Sequence, residues 1–225
     1  MQPYLFPYIG YWQLIYAVDK FVIFDDVNYK KKGHINRNKI LVEGKPFQFT
    51  LNLKGASQNK LINEIQIGDN VQNILNLIEY NYKKSPYFKK VFSLLEEIFN
   101  QEEKNLAKFI GYSLKKISNY LEIDVKFIFS SEIDKNNQLK NQNKIINICQ
   151  KLKATNYINV ISGKELFDKE IFLKNKIKLN FINTNSFKYQ QFNNEFIPFL
   201  SIIDVMMFND LDTLKIIINQ YNLVD

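Results

Sequence analysis

The run Gly10-Tyr11-Trp12-Gln13-Leu14-Ile15-Tyr16-Ala17-Val18, followed at once by Phe21-Val22-Ile23-Phe24-Asp25-Asp26, sets the reading of the fold. The first stretch reads as a short buried helix opened by a glycine. The second is four apolar residues ending in two carboxylates, the pattern of a strand buried on both faces. The segment before them, Gln2 to Phe6, is aromatic and reads as extended, with Pro3 marking a strand end. Further along, Val125 to Phe129 ends in Ser130-Ser131, and Tyr157 to Ile161 ends in Ser162-Gly163. Three apolar strands with polar ends, separated by helical patterns, predict an α/β fold of Rossmann-like type with a mostly parallel sheet. In such a sheet the ligand sits at the carboxyl ends of the strands, provided that they are parallel.

The remaining segments fill in that plan. Lys39 to Val42 and Phe47 to Leu53 flank the turn residues Glu43-Gly44-Lys45-Pro46 and predict a hairpin. Glu64 to Ile67 reads as a further short strand. Across residues 70–120 the apolar positions recur at helical spacing in three sets, beginning at Ile74, Val91 and Leu106, with Ser85-Pro86 between the first two. This is a helical block inserted in, or appended to, the α/β frame. A helix over 139–152, one over 166–173, a strand over 178–182 and helices over about 200–208 and 211–221 complete the chain, with no internal repeat. The whole reads as one domain, residues 1–225.

Composition narrows the setting. The chain has 225 residues, 46% hydrophobic and 15% aromatic, enough for a sizeable core. Its single cysteine, Cys149, excludes an intramolecular disulfide and lies in an apolar stripe with Ile145, Ile146, Ile148 and Leu152, as a buried structural thiol does. No basic, apolar leader opens the sequence, and no apolar run reaches the ~18 residues of a membrane span. The longest candidate, Phe196 to Phe208, is broken by Pro198 and Asp204. A cytoplasmic protein is expected. The net charge of +7 is spread along the chain, mixed with Asp and Glu. It reads first as a solvated surface and second as a field that draws nucleotides, phosphorylated sugars or tRNA.

Lys and Arg total 30, yet only one is an arginine, Arg37, three residues after the only histidine, His34. Where lysine serves every other positive position, a retained arginine points to its planar fork, which binds phosphate or carboxylate through two parallel hydrogen bonds. The alternative is a structural pair with Asp25 or Asp26. Asn36 and Asn38 alternate around Arg37, so in an extended chain they face away from it and hold the loop while Arg37 meets ligand. Asp25 and Asp26 are candidates for a general base or for Mg²⁺, or else for a loop cap. Histidine is the side chain whose ordinary charge change lies near neutrality, so His34 is a second acid–base candidate. Zinc is not expected, since there is no Cys/His cluster, and neither a Walker-type nor a GxGxxG glycine pattern is present. Gly10 and Ser162-Gly163 each open a helical turn, either as anion sites or as tight turns. Asp204, in the apolar run Leu200 to Met207, needs a lysine, Arg37 or backbone donors, or else points into the cleft.

Two blocks carry a family resemblance. Gln2-Pro3-Tyr4-Leu5-Phe6-Pro7-Tyr8-Ile9-Gly10-Tyr11-Trp12-Gln13-Leu14-Ile15, Val18 through Tyr29, and Asn36-Arg37-Asn38 resemble the WbqC-like family. So do Ile148-Cys149, Tyr157, Ser162-Gly163, Tyr189-Gln190 and Phe196 through Asp204, so that the resemblance covers essentially the whole chain. It implies a transferase of O-antigen or other surface polysaccharide assembly that passes an acyl or glycyl (aminoacyl) group to a nucleotide-linked amino sugar. The expected binding set is Gln2, Gly10, Tyr11, Asn28, Tyr29, Lys32, Asn36, Arg37, Asn38, Ser162, Gly163, Tyr189 and Asp204, with Asp25, Asp26 or His34 as the base. An activated acyl or aminoacyl donor is implied, with tRNA as a partner in the aminoacyl version. The family pattern carries Gln at the place of Asn28 and Trp at that of His34, which raises the two carboxylates over His34. It also starts several residues earlier, with an apolar strand before the Gln-Pro, so a shortened first strand or an upstream start is expected. A fainter likeness links Tyr8-Ile9-Gly10-Tyr11-Trp12-Gln13-Leu14-Ile15 to the HxGHxxLI motif of nucleotidyltransferase-like Rossmann enzymes, with tyrosine at both histidine positions. That alternative uses ATP or CTP with Mg²⁺. A third is a non-catalytic interaction protein of glycan assembly.

Overall fold

The computed structural model describes residues 1–193 and 195–225. Along the chain run α1 (Ile9–Tyr16), β1 (Lys20–Ile23), β2 (Arg37–Val42), β3 (Lys45–Thr50), β4 (Leu53–Lys54), β5 (Gln66–Ile67), α2 (Val71–Tyr82), α3 (Phe88–Phe99), α4 (Leu106–Tyr120) and β6 (Lys126–Phe129). There follow α5 (Asn141–Lys151), β7 (Asn156–Val160), α6 (Lys169–Lys174), β8 (Lys178–Thr184), α7 (Ile202–Phe208), α8 (Leu211–Asn219) and β9 (Tyr221–Val224). The protein is a mixed α/β structure of helices and small sheets, and no helix among the described residues is long and apolar enough to cross a membrane.

The single mostly parallel sheet expected from the sequence is not what the strands form. β1 pairs with β6 in parallel, from Lys20–Lys126 to Ile23–Phe129. β7 pairs with β8 in parallel, and β8 with β9 antiparallel. β2 and β3 form a separate hairpin whose two loop residues, Glu43 and Gly44, both have positive φ, 48° and 72°. That is the backbone of the tight turns whose twist matches the flanking strands. The helical block stands where expected. In α2 Ile74, Leu75 and Ile78 are buried, in α3 Val91, Leu95 and Ile98, and in α4 Leu106, Phe109, Ile110, Leu114 and Ile117. α4 lies close on the β1–β6 pair: a Cβ on Gly111 would stand 2.5 Å from the Phe129 ring and 3.3 Å from Ile23.

Gln2 to Phe6, expected to be a strand, is not one. Phe6 takes φ 45°, a left-handed conformation that no strand contains. The segment is held by other groups. Asn38 Nδ2 donates to Leu5 O at 3.1 Å and to Phe6 O at 2.5 Å. Ser201 Oγ donates to Phe6 O at 2.8 Å, and Pro7 O accepts from Ile202 N at 3.0 Å and from Trp12 Nε1 at 3.1 Å. Both Asn38 and Ser201 are buried, so these carbonyls are cut off from water and depend on those donors. The chain then enters α1 at Tyr8. The Tyr8 ring lies on Gly10, where a Cβ would come within 2.6 Å of the ring and 2.8 Å of Thr184 Oγ1, so any larger residue would have to displace the ring.

Replacing Asn38 by Ala removes the donors to two buried carbonyls. The expected loss is roughly 2–4 kcal/mol of unfolding free energy, read by denaturant melts; a loss under ~0.5 kcal/mol would show that the segment does not depend on Asn38.

Candidate functional site

At the start of α1 the clamped segment opens onto a cavity of about 650 Å³, within the ~300–1,000 Å³ usual for small-molecule sites. Its walls are largely aromatic: Tyr8, Phe187, Tyr189, Phe196 and Phe199, with Ile9, Leu200 and Val205. Polar groups come from the end of β8 and the segment after it, Thr184, Asn185, Ser186 and Lys188. Phe187 and Tyr189 stack at 6.0 Å, and Tyr8 meets Phe199 edge to face at 6.4 Å. Of the expected site residues Tyr189 lines this cavity, and Gly10 lies just under Tyr8 at its edge. The aromatic walls were not singled out from the sequence, because they lie at four separate places along the chain and share no spacing.

Behind Tyr189 stands Asp204, which is 0% exposed. Its partners are neither lysine nor Arg37. Tyr189 donates its hydroxyl to Oδ1 at 2.5 Å, Gln191 Nε2 donates to the same oxygen at 2.7 Å, and Tyr82 donates to Oδ2 at 2.6 Å. Tyr82 in turn accepts from Leu41 N at 2.7 Å. Burial raises the Asp204 carboxyl above its ordinary value, against the pull of those three donors. The same burial, with Asp204 beside them, raises both phenols. Asp204 does not face the cavity; it fixes Tyr189, which does.

The carboxylates at the end of β1 do different work. Asp25 is buried, with Oδ1 accepting from Ser131 N at 2.9 Å and Oδ2 from Ser131 Oγ at 2.6 Å and Asn63 Nδ2 at 3.2 Å. It ties the end of β1 to the turn after β6. Asp26 Oδ2 pairs with Lys135 at 2.8 Å and Lys144 at 3.3 Å, and the Lys135 side chain is 1% exposed. Burial pushes the Asp26 carboxyl up, but Lys135, Ser130 and Lys144 outweigh it, and the net shift is downward. Its Oδ1 is buried without a hydrogen-bond partner, as is the hydroxyl of Ser130. Lys135 and Lys144 carried no signal among so many lysines. Among the described residues no three His, Cys, Asp or Glu side chains group so as to hold a metal ion.

The loop from Asn28 to Asn38 divides between scaffold and surface. Asn28 bonds to Gln58 O at 2.9 Å. Tyr29 is buried and donates to Asn36 Oδ1 at 3.0 Å, while Asn36 Nδ2 donates to Leu51 O at 2.7 Å. Asn36 and Asn38 therefore hold backbone, as the alternation implied. Arg37 forms no ion pair with Asp25, Asp26 or any other described residue; it is half-buried, and its Nε is buried with no hydrogen-bond partner. Such an orphan donor calls for an acceptor that the protein does not supply. Lys32 is exposed at φ 60°, and His34 is exposed with its ring 5.3 Å from that of Tyr4. Tyr4 in turn packs at 5.9 Å on Tyr11, whose hydroxyl donates to the carbonyl of Gln2 at 2.8 Å. Burial and the neighbouring Tyr8 phenol push the Tyr4 hydroxyl up to about 12. Ser162 is exposed and Gly163 buried in the turn Ile161–Leu166, with Asn159 against Gly163; neither lines the cavity. Cys149 is buried, and burial raises its thiol to about 11.

The model of the WbqC-like protein family matches residues 2–216, nearly the whole chain, and the protein belongs to that family. Among curated proteins it is similar to the uncharacterized protein Rv1507c of Mycobacterium tuberculosis (strain ATCC 25618 / H37Rv), 27% identical over 205 residues, covering 89% of this chain and 88% of that protein. No solved structure matches.

The raised Asp204 carboxyl makes folding stability depend on pH. An acid that holds its proton more tightly when folded adds stability fully below its unfolded value, 3.8, and that stability is lost as pH rises through the folded value. Asp204→Asn has no such titration. The stability advantage of wild type over Asp204→Asn should therefore shrink from about pH 4 upward in denaturant melts; parallel stability curves would contradict the shift.

Proposed function

We propose that this member of the WbqC-like family is a transferase of surface-glycan assembly that binds a nucleotide-linked amino sugar in the aromatic cavity at the start of α1. The cavity itself carries the reading: flat aromatic walls suit a base or a sugar face, and the polar groups of Thr184, Asn185, Ser186 and Lys188 are few and grouped at one strand end. β2 runs beside the segments that supply Tyr8 and Leu200, through Asn38 to Phe6 O and through Lys39 O to Ser201 N. Arg37 at the head of β2 then receives the phosphate or a carboxylate on its unpartnered fork, with Lys32 on the same loop.

The reaction is attack of the sugar amine on an activated acyl or aminoacyl group. The C–N bond forms, the activating group leaves with its electron pair, and the ammonium proton passes to a base. Asp25 is occupied by Ser131 and Asn63, and Asp26 is held ionised by two lysines. The base is then assigned to His34, which is exposed beside Tyr4, and the two carboxylates become supports. An aminoacyl donor carried on tRNA would add binding that weakens steeply with salt.

The same reading takes β1–β6 and β7–β8–β9 as the two sides of one Rossmann-like arrangement. Support comes from the groove of about 280 Å³ that both line, through Phe21 and Val22 on β1 and Tyr157 and Ile158 on β7, with α1 and α5 contributing Leu14 and Cys149. A second reading, nucleotidyl transfer from ATP or CTP with Mg²⁺, is favoured by the Tyr8 ring on Gly10 at the helix start beside the cavity. Against it, Tyr11 is buried and bound to Gln2 O, and a phenol lacks the imidazolium charge that stabilises a transferring phosphate.

Thermal unfolding against nucleotide-linked amino sugars tests this. At ~100 times its dissociation constant a ligand adds roughly 2.7 kcal/mol to wild type, and Arg37→Lys should lose most of that gain. A gain with ATP or CTP alone, with pyrophosphate release, would support the second reading. No gain with any nucleotide-linked sugar would contradict the first.

A further inference from the structure

Phe199 combines two features that folding alone does not favour. It is 79% exposed, the most exposed of the large hydrophobic side chains. Its backbone also has φ 59°, the left-handed region, where a bulky side chain is strained. Neither burial nor a tight turn requiring glycine accounts for a phenylalanine there. Its position does: Phe199 lines the mouth of the cavity, directly after Pro198, with Tyr8 set edge-on to it at 6.4 Å. Strain that persists at a cavity rim points to a side chain aimed at a ligand.

Ser186, Phe187 and Lys188, which line the same cavity, give the chemistry of that ligand. After Asn185, whose N–H bonds to Gln220 O, the main-chain groups of Ser186, Phe187 and Lys188 make no hydrogen bond to any described residue. Three consecutive peptides with free donors and acceptors therefore border a space walled by aromatic rings. A sugar offers hydroxyls all around; a nucleobase offers a flat π face for stacking and an edge of alternating donors and acceptors for a peptide strand. The arrangement fits the second.

We infer that Phe199 is a stacking clamp for the nucleobase of the ligand, and that the main chain of Ser186–Lys188 reads the edge of the same base. This rests on the nucleotide-linked ligand proposed above and adds which part of it the cavity selects and by which residue. The base stacks on the face that Phe199 holds out, and the left-handed backbone keeps that face turned to the cavity.

The test uses the full chain, wild type and the variants Phe199→Gly and Phe199→Tyr. Binding of uridine, cytidine, guanosine and adenosine monophosphates is measured by calorimetry beside ribose 5-phosphate, which has the phosphate and sugar without a base. Thermal midpoints of the free proteins are measured as well. One or more of the nucleotides should bind, with ribose 5-phosphate much weaker. Phe199→Gly should weaken the nucleotide by roughly five- to a hundred-fold, the range for loss of one aromatic–base stack, while its free midpoint stays level or rises because glycine accepts the positive φ. Phe199→Tyr should bind as wild type does. If Phe199→Gly binds nucleotide unchanged, the clamp is wrong while the nucleotide reading stands. If its midpoint drops, Phe199 serves the fold and the clamp is likewise wrong. Equal binding of ribose 5-phosphate would mean that the site reads phosphate and not the base. No binding of any nucleotide to wild type would overturn both the clamp and the reading beneath it.

Discussion

The carbonyls of Leu5 and Phe6, turned inward and met by Asn38 and Ser201, are the constraint on which the rest depends. A left-handed Phe6 followed by Pro7 is a costly stretch of backbone, on the order of 1–3 kcal/mol for the conformation alone. It persists because buried donors from two distant elements, β2 and the head of α7, converge on it. Satisfying those carbonyls has three consequences. The chain turns sharply enough to start α1 at Tyr8. β2 is fastened beside α7. The Tyr8 ring is delivered onto Gly10 and into the cavity wall. Asn38, which its alternation with Arg37 assigned to the backbone, does this holding together with Ser201.

The same logic extends outward to Asp204. Burying a carboxylate without a cation is expensive, and three donors offset that cost. Two of them, Tyr82 and Tyr189, belong to α2 and to the segment after β8, so one carboxyl group joins the helical block to the cavity wall. The opposite solution appears at the end of β1, where Asp26 is met by two lysines and Asp25 by hydroxyl, amide and backbone donors. Paired acids that sequence alone presents as catalytic equals are thus separated by their surroundings into a tether and an ion pair.

Helices with unbroken periodicity were legible, since Ile74, Leu75 and Ile78 or Leu106, Phe109, Ile110 and Ser113 can be sorted by spacing alone. The strands β1, β6 and β7 were legible as short apolar runs with polar ends, and β8 by the alternation of Lys178 to Ile182. Pairing was not, because strand partners lie a hundred residues apart and nothing in Lys20–Ile23 names Lys126–Phe129. β9 was missed because Tyr221 to Val224 continues the apolar character of the helix before it. Gln2 to Phe6 was misjudged because a left-handed phenylalanine leaves no trace in composition. Of the candidate residues, Arg37 stood out by rarity and Tyr189 by resemblance. Phe187, Phe199, Lys135 and Lys144 had neither, since aromatic and lysine residues are abundant here and their meaning comes only from what folds against them.

The central claim is that the aromatic cavity at the start of α1 receives the nucleoside end of a nucleotide-linked amino sugar. A crystal structure of the protein grown with such a compound tests it most directly. The account predicts the base against Phe199 and the main chain of Ser186–Lys188, with its phosphates toward Arg37. Density for the ligand elsewhere, above all at Asp26, Lys135 and Lys144 with the cavity holding only water, would contradict it.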